Sequence, residues 1–172
     1  MAAFSQKFPP VLSELHELEF DYEDGEGIDF EPYQEFQSAD DNAAWFKAWT
    51  GNDEVDGSEY RVFGQDGTGG YAAFWLVREG KPILEQPIVF FGSEGELGIV
   101  AASFSDYLWL LAGGFGPLEA VEYPEDDRSP SADFTEFAGR NAPGDQKSPR
   151  EVLSAAKAEF PGFVEQVRAL CK

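Results

Sequence analysis

At 172 residues, with 42% hydrophobic and 15% aromatic side chains, the chain has material for one domain with its own core. Thirty-three acids against twelve bases leave a formal net charge of -21, a field that repels nucleic acid and anionic membrane surface and draws in basic partners. Cys171 is the only cysteine, which excludes an intramolecular disulfide and suits a reducing compartment.

The first twenty residues, MAAFSQKFPPVLSELHELEF, lack the basic region and apolar run of a signal peptide. No stretch approaches the roughly 18 apolar residues of a membrane span, so the expected location is the cytoplasm. Within this opening, Val11, Leu12, Leu15 and Leu18 have helical spacing behind a proline pair, which a helix start tolerates. His16, the only histidine, is expected on the solvent side of that helix.

The charge is unevenly spread. No lysine or arginine lies between Lys7 and Lys47, while the same span carries Glu14, Glu17, Glu19, Asp21, Glu23, Asp24, Glu26, Asp29, Glu31, Glu35, Asp40 and Asp41. A second group follows at Glu119, Glu122, Glu125, Asp126 and Asp127. The plain reading of both is a solvated, solubilising surface. The stretch DYEDGEGIDFEPYQEF has no clear period and reads as loop with a short strand. SADDNAAWFKAWTGN then predicts a short helix, with Ser38, Asp40 or Asp41 as N-cap candidates. Trp45, Phe46 and Trp49 share its buried face, and Gly51 stops it.

From residue 59 the period changes. EYRVF, YAAFWLV, PIVFF and LGIVAA are short runs of β-branched and aromatic residues separated by turn-rich segments. They predict an antiparallel meander over about residues 59–102. Ser103 then caps a helix with Asp106 at the capping-box position. Phe104, Tyr107, Leu108 and Leu111 form its apolar stripe, and Gly113 and Gly114 end it. Residues 124–147 are polar and turn-rich and are expected to form a long loop, or an insertion, that orders in part. A last helix is expected from Ser148 and Pro149, with Glu151 next to the capping-box place and Pro161-Gly162 breaking it. Helices, then antiparallel strands, then helices make an α+β class.

The stretch FGQDGTGGY, residues 63–71, invites a phosphate-loop reading. That loop needs a lysine after its glycines, and no lysine or arginine lies between Arg61 and Arg78. The dinucleotide fingerprint needs a following helix, whereas YAAFWLV reads as a strand. Asp66-Gly67 is instead a hairpin signal, since glycine supplies a positive φ and Asp66 caps the turn. One histidine and one cysteine cannot build a thiolate–imidazole zinc site. Counted from Asp21, the acids and glycines miss the calcium-loop frame. Trp45, Trp49, Trp75 and Trp109 lie in apolar runs and are expected to fill the core. No cofactor, metal or catalytic residue is assigned, and the expectation is that the chain is not an enzyme.

The order of features at residues 60–113 carries a resemblance. A strand ending in Phe63, the turn QDGTGG, the strands YAAFWLV and PIVFFGSEG, and then Ala102, Ser103, Phe104, Tyr107 and Leu108 are similar to the SUKH superfamily. These are bacterial toxin-immunity proteins related to a fungal cell-wall regulator. The likeness covers about a third of the chain. Near the N-terminus it departs from the family pattern, with EPYQEF and AWFKAWTGN in place of a Leu-Pro, aromatic helix and Asn-Gly-Gly ending. The resemblance implies a non-enzymatic domain that binds and neutralises a cognate toxin. Nuclease toxins tend to be basic, which suits the independent charge reading. On that basis the candidate partner-binding residues are Glu14, Glu17, Asp21, Glu23, Asp24, Glu26, Asp29, Glu31, Glu125, Asp126 and Asp127. The alternative is a scaffold or regulatory domain of the same fold with a partner that is not a toxin.

Overall fold

The short apolar runs after residue 59 pair in chain order. The computed structural model describes residues 5–172. Its sheet consists of β1 (Glu31–Pro32), β2 (Tyr60–Gln65), β3 (Tyr71–Trp75), β4 (Ile88–Phe91) and β5 (Leu97–Ala101), antiparallel throughout in the order β1-β2-β3-β4-β5. Four of these are the expected meander, and β1 is the short strand in the acidic stretch. Before β2 come α1 (Pro10–Leu15) and α2 (Ala39–Thr50). After β5 come α3 (Phe104–Ala112), α4 (Pro117–Glu122), α5 (Ala132–Asn141), α6 (Pro149–Glu159) and α7 (Phe163–Arg168). The chain is thus an α+β fold. Among the described residues no helix is long and apolar enough to cross a membrane.

Both faces of the sheet are covered, so its central strands are apolar at nearly every position rather than at every second one. Phe63, Ala72, Phe74, Ile88, Phe90 and Val100 pack on one side with Leu12 and Leu15 of α1, Tyr107 and Leu111 of α3 and Phe134 of α5. Val62, Ala73, Trp75, Val89, Phe91, Leu97 and Ile99 pack on the other with Phe46 of α2, Ala156 of α6, and Phe163 and Val167 of α7. Trp75 and Trp109 are buried as expected, and Trp45 and Trp49 are half-buried against the second cluster.

Local chemistry sets the helix ends. Ser38 is the cap of α2, accepting from the Asp41 N–H at 3.1 Å, and Gly51 closes the helix in the left-handed region. At α3, Ser103 accepts from the Asp106 N–H at 3.3 Å, but the Asp106 carboxylate turns away to Lys147 Nζ at 2.8 Å. At α6 the capping box is complete: Ser148 and Glu151 each accept the other's backbone N–H. Pro161 and Gly162 separate α6 from α7.

FGQDGTGGY is the β2–β3 hairpin loop. The positive φ falls at Gly69, at +95°, and not at Gly67. Asp66 is buried and its Oδ1 accepts from the N–H of Thr68 and Gly70 and from the Thr68 hydroxyl, so the aspartate itself sets the turn and moves the strained position downstream.

Two expectations need correction. Residues 124–147 contain a ten-residue helix, α5, capped by Ser131, with Phe134, Phe137 and Ala138 buried beneath it. Its three apolar residues at helical spacing suffice because they dock on α3. His16 is not on the solvent side. His16 closes α1 in helical backbone geometry, its N–H donating to the Leu12 carbonyl at 3.0 Å, and four residues after buried Leu12 it shares that inward face, at 7% exposure among Phe8, Phe20, Phe30 and Phe63. Its Nδ1–H donates to the Tyr33 carbonyl at 2.7 Å, while Nε2 is buried without a partner.

Burial holds the His16 pKa down to about 4 from 6.5, with the Tyr33 bond opposing it. Between these values the unfolded chain takes up a proton that the folded protein refuses. Stability is therefore complete above the unfolded value and is lost as pH falls from about 6.5 to about 4, by up to about 3 kcal/mol. In His16→Asn the amide retains a donor for Tyr33 and does not titrate. Urea unfolding at pH 7 and pH 4.5 should show the wild type losing about 2–3 kcal/mol more than the variant. Parallel losses would refute the buried neutral imidazole.

Candidate partner-binding face

The acidic span between α1 and β1 is not an extended tail. Its backbone folds back on itself, with the Gly27 N–H donating to the Tyr22 carbonyl and the Ile28 N–H to the Asp21 carbonyl, both at 2.9 Å. At the tip, Glu23 and Asp24 take φ of 46° and 53°, which costs free energy for side chains with a Cβ. Gly27 is required by contact: a Cβ there would lie 1.9 Å from the Asp21 carbonyl oxygen. Seven residues, Asp21 to Gly27, thus form a tight acidic loop with every acid exposed.

Arg128 holds this loop. Its Nε donates to the Gly114 carbonyl at 2.8 Å, and Nη2 donates to the carbonyls of Gly27 and Gly25. Nη1 pairs with Asp126 Oδ2 at 3.5 Å, and the guanidinium lies over the Phe115 ring at 5.7 Å. The Arg128 side chain is 6% exposed, so it acts as a buried clamp rather than a surface cation. The clamp brings the Asp21–Gly27 loop against the second acidic group, about 100 residues away in sequence.

Glu119 is the second brace. One carboxylate oxygen accepts from the Asp29 N–H and the other from the Gly116 N–H, each at 3.0 Å. Burial raises its pKa, while these bonds and nearby Arg128 act to lower it. Asp29 in turn accepts the Gly67 N–H on Oδ1 at 2.8 Å, which ties the acidic span to the β2–β3 loop.

On either side of Arg128 the surface is concave. One cleft, of 300 Å³, is lined by Asp21, Glu23 and Glu26 together with Ser129, Ser131 and Phe134. The other, a broader trough of 680 Å³, has Glu125, Asp126 and Asp127 facing Phe115 and Arg150. Tyr22 and Tyr123, at 55% and 50% exposure, are two of the three large apolar side chains that stand exposed among the described residues. Each is embedded in one acidic group. Tyrosine is among the residues enriched at protein interfaces.

The expected site residues divide accordingly. Asp21, Glu23, Asp24, Glu26, Glu125, Asp126 and Asp127 are brought to this face. Glu14 and Glu17 are exposed at and just after α1 and line neither cleft. Glu31 lies on β1 and accepts from Gln65 Nε2 at 3.2 Å. Asp29 is half-buried and its carboxylate is occupied by the hairpin. Sequence reasoning missed Arg128, although a lone base between Lys81 and Arg140, directly after three acids, was a readable signal. It also missed Tyr22 and Tyr123. Among the described residues no three His, Cys, Asp or Glu side chains are gathered as metal ligands. Compared with models of protein families, with curated proteins and with solved structures, the chain matches none.

Arg128→Met should cost about 2–4 kcal/mol in urea unfolding, since the half-buried Gly27 and buried Gly114 carbonyls lose their charged donor. Arg150→Met, which removes an exposed pair with Glu125, should stay within about 0.5 kcal/mol. Equal costs for the two would show that Arg128 is not a clamp.

Proposed function

We propose that this chain is an immunity-type inhibitor, which binds a basic toxin domain through the acidic face around Arg128 and occludes it. The observation that carries the reading is the joining by Arg128 of two sequence-distant acidic segments, each lining a concavity and each beside an exposed tyrosine, on a chain of net charge -21. The SUKH resemblance of residues 60–113 supports the same class of partner. Neutralisation here is steric and electrostatic, and it needs no catalytic residue, cofactor or metal. The Asp21–Glu26 cleft takes an extended lysine or arginine side chain, while Tyr22 and Tyr123 supply amphipathic contact with little loss of rotamer freedom. The cytoplasm is the compartment in which such an inhibitor guards its own cell.

Affinity capture with the tagged protein from its native lysate, eluted at rising salt, tests the proposal. Success is one basic polypeptide near one-to-one stoichiometry, released late, whose expression alone arrests growth and whose co-expression with this chain does not. A near-stoichiometric partner that is harmless when expressed would instead favour a scaffold or regulatory domain. A scatter of basic proteins released early would mean that the charge serves solubility alone.

With the partner in hand, the triple variant Asp24→Lys, Glu26→Lys, Asp127→Lys should slow association by about tenfold or more at low salt and flatten its salt dependence. An unchanged association rate would remove this face as the interface.

A further inference from the structure

The sheet has a second feature that faces outward, independent of the Arg128 face. β5 is its terminal strand, so one side of the β5 backbone meets no other strand. The preceding hairpin fixes which groups those are. The Gly92 N–H donates to the Glu96 carbonyl at 2.6 Å, which makes residues 92 and 96 a hydrogen-bonded pair. Such pairs alternate along an antiparallel ladder. With Phe91 opposite Leu97, Phe90 opposite Gly98 and Val89 opposite Ile99, Gly98 turns toward β4. Leu97 and Ile99 therefore direct N–H and C=O away from the sheet. No hydrogen bond among the described residues takes up these four groups.

They open into an apolar groove of 370 Å³. Val121 of α4 lines it from one sheet face, and Phe160 and Val164, before and within α7, from the other, with Lys157 of α6 its one charged lining residue. α6 and α7 pack on β5 from one sheet face, and the strand itself is only five residues long. Unpaired backbone groups at the floor of an apolar groove cost free energy until a partner takes them up, and an added strand supplies both the main-chain bonds and an apolar side chain. One end of the groove is strongly acidic. Glu94 and Glu96 precede Leu97, and Glu122 follows Val121. The Glu122 pKa is raised by what burial it has and then by Glu96, Glu94 and Asp66, and Glu96 Oε2 is buried without a partner.

We propose that the β5 edge is a second docking site, which receives an extended segment of a protein partner as an added strand. Its apolar residue fills the groove and its basic residue meets Glu94, Glu96 and Glu122. A second copy of this chain is the poorer occupant, because two bodies of charge -21 repel.

The probe is a phage-displayed library of random nonapeptides, panned on the full-length protein. Enriched peptides should alternate apolar residues and carry net positive charge. They should perturb the Leu97 and Ile99 amide signals and lose at least tenfold in affinity for Val164→Trp, which fills the groove. Should that variant misfold by near-ultraviolet circular dichroism, exposed Glu122→Lys should still weaken binding about fivefold. The proposal is overturned by a library that yields no binders, or by binders indifferent to both variants. It is also overturned by a footprint confined to the Asp21–Gly27 and Glu125–Asp127 loops, or by peptide-free protein that already protects Leu97 and Ile99 through dimerisation.

Discussion

The acidic face depends on one buried guanidinium. Residues 21–27 bear four carboxylates on a backbone with two left-handed non-glycine positions, and mutual repulsion works against the fold of such a segment. Arg128 counters this in two ways: its charge offsets the local field, and its fork of N–H groups binds carbonyls of Gly25, Gly27 and Gly114. Backbone dipoles and Asp126 in turn satisfy a guanidinium that burial would otherwise make costly. Glu119 braces the same region from α4 through the Asp29 N–H, but only Arg128 bonds directly to both the loop and the Glu125–Asp127 segment.

The carboxylates of this chain do two different jobs. Asp29, Asp66, Asp106 and Glu119 are partly or wholly buried and are taken up by backbone N–H groups or by Lys147. They set turns and brace loops on the sheet. The acids of the Asp21–Gly27 loop and the Glu125–Asp127 segment are exposed to solvent, with Asp126 paired to Arg128 and Glu125 to Arg150. With both sheet faces closed by helices, the surfaces open to recognition are loops and the strand edge. The glycine-rich stretch at residues 63–71 belongs to the first group. It is a hairpin whose Asp66 caps it from within and whose Gly67 N–H is held by Asp29.

The strands, α3, and the α6–α7 break were legible because their signals are local: short apolar runs between turns, a serine cap before a stripe, and a proline–glycine interruption. α5 was obscured because its three buried residues sit among charges and turn formers, and only docking on α3 makes them a helix. His16 was expected outward because it is polar and stands among acids, although its place four residues after Leu12 puts it on the same helix face. The acidity of the candidate face was plain in the sequence. Its geometry was not, since the Arg128 bonds to Gly25 and Gly27 span 103 and 101 residues and no local pattern encodes such a contact.

The central claim is that Arg128 makes one face of two acidic segments, and relaxation by a nitroxide measures it most directly. The label is placed at Asp127→Cys in a Cys171→Ser background, and amide signals of residues 22–27 are followed. Strong broadening that is lost in Arg128→Met is the result this account predicts. Unbroadened signals with Arg128 present, or broadening that survives its removal, would contradict it.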